Sequence, residues 1–92
     1  MAEYPTEEQL LSLSHYDVIG KNLSGIADEI RECYNEDYGK IGFENGQLYL
    51  VTGGWSGNED VIDALSRNVV FWATYWQKSE RGGGYWFGRR DV

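Results

Sequence analysis

The chain has 92 residues, of which 41% are hydrophobic and 15% aromatic, and its formal net charge is −7. This length predicts a single domain over residues 1–92, with a core that the four Trp and seven Tyr help to fill. The acidic balance disfavours general binding to duplex nucleic acid, and no run reaches the roughly 20 apolar residues of a membrane span.

The single cysteine and single histidine limit the chemistry that the chain can support. Cys33 has no partner for an internal disulfide, which is typical of a reducing compartment, and the N-terminus lacks the basic and apolar regions of a secretory signal. One Cys and one His exclude a zinc site of the usual Cys/His kind, and no motif indicates another metal or a cofactor. We therefore expect an intracellular protein without cofactor or metal.

Two helices are predicted in the first 35 residues. Thr6 and Gln9 have capping-box spacing, which starts a short helix that ends near His15. A second helix begins near Asn22, because its apolar residues follow the i, i+3, i+4, i+7 pattern of a buried stripe. Cys33 lies on that stripe, so we interpret it as a core residue rather than a nucleophile.

The next segment changes to the alternating period of a β-hairpin. The Asn45-Gly46 turn pairs positions whose numbers sum to 91, so that Phe43 faces Leu48 and Ile41 faces Leu50 on one side of the sheet. A third helix begins around Asn58, with Ser56 and Glu59 at capping-box spacing.

The last third of the chain is less clearly patterned. Residues 69–76 are rich in β-branched and aromatic side chains, which favours a strand, although a continuation of the third helix stays open. Residues 79–84 form a turn and residues 84–88 a last strand. The predicted fold is α+β in the order α-α-β-β-α-β-β, a mostly antiparallel four-stranded sheet with helices packed on one face.

The leading candidate site is the glycine-rich segment between the hairpin and the third helix. Two glycines allow close approach of a ligand, and backbone N–H groups at a helix start favour an anion. Trp55 offers a flat ring for stacking, and Arg81, beside three glycines, offers a fork-shaped cation. The predicted ligand-binding residues are Gly53, Gly54, Trp55, Ser56, Asn58, Glu59 and Arg81. The alternative is that the glycines only turn the chain, Ser56 caps the helix and Trp55 fills the core.

A second interpretation rests on charge. Residues 1–63 carry 13 acidic and 3 basic side chains, so the first two helices could contact a basic groove of a partner protein or imitate nucleic-acid phosphates. The residues expected to do so are Glu29, Glu32, Glu36 and Asp37. The aromatic residues between Phe71 and Phe87 either form a partner or dimer surface on the sheet or pack together. A small hydrolase that uses Ser56 or Glu59 ranks last, because no spacing yields a catalytic set, and we predict no enzyme.

Residues 40–88 resemble a group of small uncharacterised proteins of tailed phages and prophages. The shared pattern runs Thr52-Gly-Gly-Trp-Ser-Gly-Asn-Glu59, then Phe71-Trp72, and Ser79-Glu-Arg-Gly-Gly83 before Tyr85 and Phe87. In that group a His often follows the Arg-Gly-Gly turn, and here Gly84 replaces it. The resemblance implies a phage protein in the cytoplasm of a bacterial host cell. In that setting the expected roles are sequestration of a small nucleotide-like immune signal or, alternatively, inhibition of an anti-CRISPR or anti-restriction kind.

Overall fold

The computed structural model describes residues 4–17, 23–44 and 46–88. Helix α1 (Glu7–Ser14) begins with the predicted capping box, in which Gln9 N donates to Thr6 Oγ1 at 3.1 Å and Thr6 N donates to Gln9 Oε1 at 2.9 Å. Helix α2 (Leu23–Cys33) buries the predicted apolar stripe. Asn22, where that helix was expected to begin, lies outside the described residues.

Strands β1 (Lys40–Glu44) and β2 (Gln47–Val51) form the predicted hairpin in the predicted register, with Ile41 opposite Leu50 and Phe43 opposite Leu48. After helix α3 (Ser56–Arg67) and helix α4 (Val69–Tyr75), strands β3 (Trp76–Glu80) and β4 (Gly84–Phe87) complete an antiparallel sheet of order β1-β2-β4-β3. The α+β class and the four-stranded antiparallel sheet are therefore confirmed. The predicted element order is confirmed as well, with α4 as an addition.

One face of the sheet packs on the helices, as predicted. Leu48, Leu50 and Phe87 are fully buried in one cluster with residues of every helix. Of the aromatic residues between Phe71 and Phe87, all but Trp86 belong to that cluster or pack against it. Trp86 lies on the opposite face, where it stacks on Tyr49 at a centroid distance of 5.1 Å.

The segment 69–76 is helical through Tyr75, and the expectation of a strand there was wrong. Asn68 explains the helix, since its buried side chain caps α4 by accepting from Phe71 N at 3.0 Å. The same amide donates to the carbonyls of Leu13 and Tyr16, both at 3.0 Å. Tertiary contacts therefore override the β propensity of these residues. Within the described part of the chain, no helix is long and apolar enough to cross a membrane.

Candidate functional site

The predicted glycine loop is a tight turn that uses much of its own hydrogen-bonding capacity. Buried Thr52 accepts from Gly54 N at its Oγ1 (3.2 Å) and from Trp55 N at its carbonyl (3.3 Å). Gly53 and Gly54 both have positive φ, at 68° and 79°. A Cβ at Gly53 would collide with the carbonyl of Tyr38, so this position requires glycine. Two of the amides expected to hold an anion, those of Gly54 and Trp55, are therefore occupied by the turn.

The start of α3 differs from the predicted capping box. The N-cap residue is Trp55, with no side-chain cap, and Ser56 is already the first helical residue. The expectation that Ser56 caps the helix was therefore wrong, because the extended backbone that a cap needs falls one residue earlier. The Ser56 hydroxyl instead lies 3.0 Å from the hydroxyl of Tyr4. The side chain of Glu59 is exposed, and its backbone N–H donates a helical hydrogen bond to the Trp55 carbonyl at 3.1 Å.

The side chain of Asn58 has a structural role. It is fully buried, its Oδ1 accepts from Asn35 N at 2.8 Å, and its Nδ2 donates to the carbonyls of Asn35 (3.0 Å) and Thr52 (3.2 Å). Because the whole residue has no exposed surface, neither the side chain nor the backbone of Asn58 is open to a ligand in this structure. The Trp55 indole lies against buried Gly57, so little of the first turn of α3 is open to solvent.

Trp55 belongs to a cluster of three rings, which we call the aromatic triad: Tyr4, Tyr38 and Trp55. The indole stacks on Tyr38 at 5.2 Å between centroids and meets Tyr4 at 4.8 Å with the planes tilted. Trp55 is half-buried, whereas both tyrosines are more than half exposed. Sequence reasoning missed the two tyrosines because only tertiary structure brings positions 4, 38 and 55 together.

The turn that carries Arg81 adjoins the glycine loop, as the sequence interpretation required. Thr52 N donates to the Gly83 carbonyl at 3.0 Å, and Gly83 packs against the Thr52 side chain. Arg81 itself is exposed and lines none of the cavities described below. The two backbone segments therefore meet, while no described cavity joins the guanidinium and the indole.

The four acidic residues singled out in the sequence line one depression between α1 and α2, which we call the α1–α2 groove. It consists of two cavities of about 350 and 360 Å³ that share Thr6, Gln9 and Glu32. Glu29 lies in one, where its carboxylate accepts from the Ser12 hydroxyl at 2.8 Å. The other contains Glu36 and Asp37 and ends at Tyr4 of the aromatic triad.

Two buried side chains that line this groove, those of Cys33 and Tyr34, have raised pKa values. Burial raises the pKa of the Cys33 thiol to about 11, and the thiol points to helical carbonyls of Glu29 and Ile30. Cys33 is thus a core residue, as the sequence predicted. Burial also raises the pKa of Tyr34, whose hydroxyl has no hydrogen-bond partner among the described residues. Within the same residues, no group of three or more His, Cys, Asp or Glu side chains is arranged to hold a metal ion.

Known proteins give no further guide to this site. A scan against protein families, a search of curated proteins and a search of solved structures each return no match to this chain.

Proposed function

We propose that this chain is a protein-binding module whose α1–α2 groove binds a basic surface of another protein. One observation carries the proposal: Glu29, Glu32, Glu36 and Asp37, dispersed over nine positions of sequence, line a single groove that ends at exposed aromatic rings. Carboxylates attract Lys and Arg side chains, and the ring faces of Tyr and Trp accept the same cations.

The charge on this groove is available to a partner. None of its four carboxylates forms a salt bridge with another described residue, and the neighbouring Arg31 lies 3.8 Å from Asp28 instead. Each exposed ion pair with a partner is worth about 0.2–1 kcal/mol, so the carboxylates contribute mainly to the association rate and to specificity. The larger share of affinity would come from burial of the Tyr4 and Tyr38 rings.

Hydrogen bonds from a buried side chain connect the two parts of this surface. The Asn58 side chain binds the backbone of Asn35 and so connects it to the start of α3. The next three residues along the chain are Glu36, Asp37 and Tyr38. Asn35 also accepts from Asp37 N at 2.9 Å, which closes the turn that presents both carboxylates. A surface ordered before binding loses less conformational entropy on association.

The experiment is a capture from bacterial lysate, followed by calorimetry with the purified captured protein. The groove variant is Glu32→Gln with Glu36→Gln, and the matched control is Glu44→Gln with Asp60→Asn, which removes the same charge away from this groove. We expect wild type and control to bind and the groove variant, which loses two carboxylates, to bind about twofold to thirtyfold more weakly, with affinity that falls between about 50 and 200 mM salt. Equal affinity of both variants would contradict the proposal.

A second candidate is the binding of a small anionic or nucleotide-like ligand at the glycine loop, with sequestration of a host immune signal as its purpose. The contact between Thr52 and Gly83 favours it, because it brings the Arg81 turn to the loop that precedes α3. Calorimetry with a panel of nucleotides tests it. A ligand whose affinity is lost in Arg81→Ala and kept in Glu32→Gln would support it, whereas no heat from any nucleotide would remove it.

A further inference from the structure

A second groove lies on the other side of α1, between α1 and α3, and we call it the α1–α3 groove. It forms an open cavity of about 540 Å³. Its lining residues recur at helical spacing on both helices: Glu7, Leu11 and Ser14 on α1, and Asp60, Ala64 and Arg67 on α3. Leu10 also lines the cavity, so its centre is apolar and its end near the helix starts is acidic.

The two helices run side by side in the same direction, and contacts at both ends fix the groove between them. The Tyr4 hydroxyl meets Ser56 Oγ at the helix starts, and Asn68 binds the carbonyls of Leu13 and Tyr16 at the helix ends. Ser14 lies seven positions after Glu7, which at a helical rise of 1.5 Å gives the groove a length of about 10 Å. An adjoining cavity of about 410 Å³, which shares Ser14 and Arg67, extends it to Val69 and Val70.

Three exposed large hydrophobic side chains lie along this groove and its extension. Leu11 is 58% exposed, Val69 74% and Val70 46%. Among the described residues, the other two exposed large hydrophobic side chains are Tyr4 and Tyr38 of the aromatic triad. Such side chains are normally scattered singly over a surface, whereas here they fall at two places. The α1–α3 groove is therefore a candidate interface in its own right.

We propose that the α1–α3 groove binds a basic amphipathic helix of another protein. The apolar floor of Leu10 and Ala64 suits side chains at i, i+3, i+4 and i+7, which is the usual mode of a helix in a groove. Glu7 and Asp60 form no salt bridge with another described residue, so both carboxylates can pair with Lys or Arg at one end of that helix. Asp63 is already paired with Arg67 at 2.8 Å.

Charge argues against a second copy of the chain as the occupant. Each copy of the chain carries a net charge of −7, so a second copy would approach this groove against an overall repulsion. Like charges placed opposite one another oppose association. The inference does not depend on the proposed function, since the two grooves lie on opposite sides of α1.

The probe is an amidated peptide of about 14 residues, made of leucine and lysine with leucines at helical spacing, titrated into the full chain labelled at its methyl groups. A peptide of identical composition with the leucines scrambled is its control. We expect shifts at the methyl groups of Leu11, Ala64 and Val70 with the patterned peptide only. We further expect about tenfold weaker binding in Leu11→Ser and a weaker dependence on salt in Glu7→Gln with Asp60→Asn. The charge-matched control, Asp28→Asn with Glu44→Gln, should bind like wild type.

Three results would overturn the proposal. The first is that both peptides bind alike, the second that the shifts fall on α2 instead, and the third that Leu11→Ser leaves the affinity unchanged. Sedimentation addresses the rival occupant: a dimer that Leu11→Ser dissociates would assign the groove to a second copy. Urea unfolding of each variant checks that a lost affinity does not reflect a lost fold.

Discussion

Replacing Asn58 by alanine tests whether one buried amide supports the whole candidate surface. The substitution removes the three hydrogen bonds that tie Asn35 and Thr52 to the start of α3. The two carbonyls keep other donors, since Gly39 N reaches Asn35 O at 3.1 Å and Trp55 N reaches Thr52 O at 3.3 Å. The Asn35 N–H has no other partner among the described residues, so its loss is the most costly of the three.

At about 1 kcal/mol for each net hydrogen bond, Asn58→Ala should lower the free energy of unfolding by about 2–3 kcal/mol. For a domain of this size, that corresponds to a fall in Tm of about 8–24 °C, measured by circular dichroism. Asn35→Ala is the control, because it keeps the backbone bonds to Asn58 and loses only the bond from Asp37 N. We expect it to cost about 1 kcal/mol. A fall in Tm of less than about 4 °C for Asn58→Ala would refute the reasoning.

Three further predictions concern single positions. In urea unfolding, Gly53→Ala should lower the free energy of unfolding by more than Gly54→Ala does. Both residues have positive φ, but only a Cβ at position 53 would meet the Tyr38 carbonyl, so Gly54→Ala should cost only about 1 kcal/mol. The raised pKa of the Cys33 thiol means that the folded chain holds this proton more tightly than the unfolded chain. The thiol therefore contributes fully to the free energy of unfolding below pH 9, and this contribution is lost between pH 9 and about 11. Cys33→Ala should therefore lessen the fall in stability over that range by about 1 kcal/mol at pH 10. Asn68→Ala should cost about 2–3 kcal/mol by thermal unfolding, and an unchanged Tm would contradict its assigned role at the start of α4.

Local signals were enough to predict most of the elements. The Asn-Gly sequence and the apolar alternation predicted the register of β1 and β2, because a slip of one residue would turn every side chain to the other face. Asn45 itself lies outside the described residues. The Thr6 capping box likewise depends on residues three positions apart. Where a signal is carried by neighbours in sequence, the sequence alone reveals it.

The misassigned parts depend on distant partners. Helix α4 exists because the Asn68 side chain binds both Phe71 N and carbonyls more than 50 positions earlier, which no window of sequence contains. The aromatic triad has the same origin, since Tyr4 and Tyr38 meet Trp55 only in the folded chain. The acidic groove was partly predictable, because the charge pattern indicated an acidic surface on the first two helices, but the polar residues Gln9 and Ser12 of α1 that line it were not singled out.

The order of the sheet has a consequence for how the chain reaches this structure. Strand β4 follows every other described strand along the chain, yet it lies between β2 and β3. Until residues 84–87 pair with β2, one edge of β2 in the β1–β2 hairpin is open to pairing with any other strand. Closure must join Leu48 to Phe87 across 39 positions, and contacts of such separation form slowly. Nascent or truncated chains that lack β4 should therefore aggregate through β2 rather than persist as partly folded monomers.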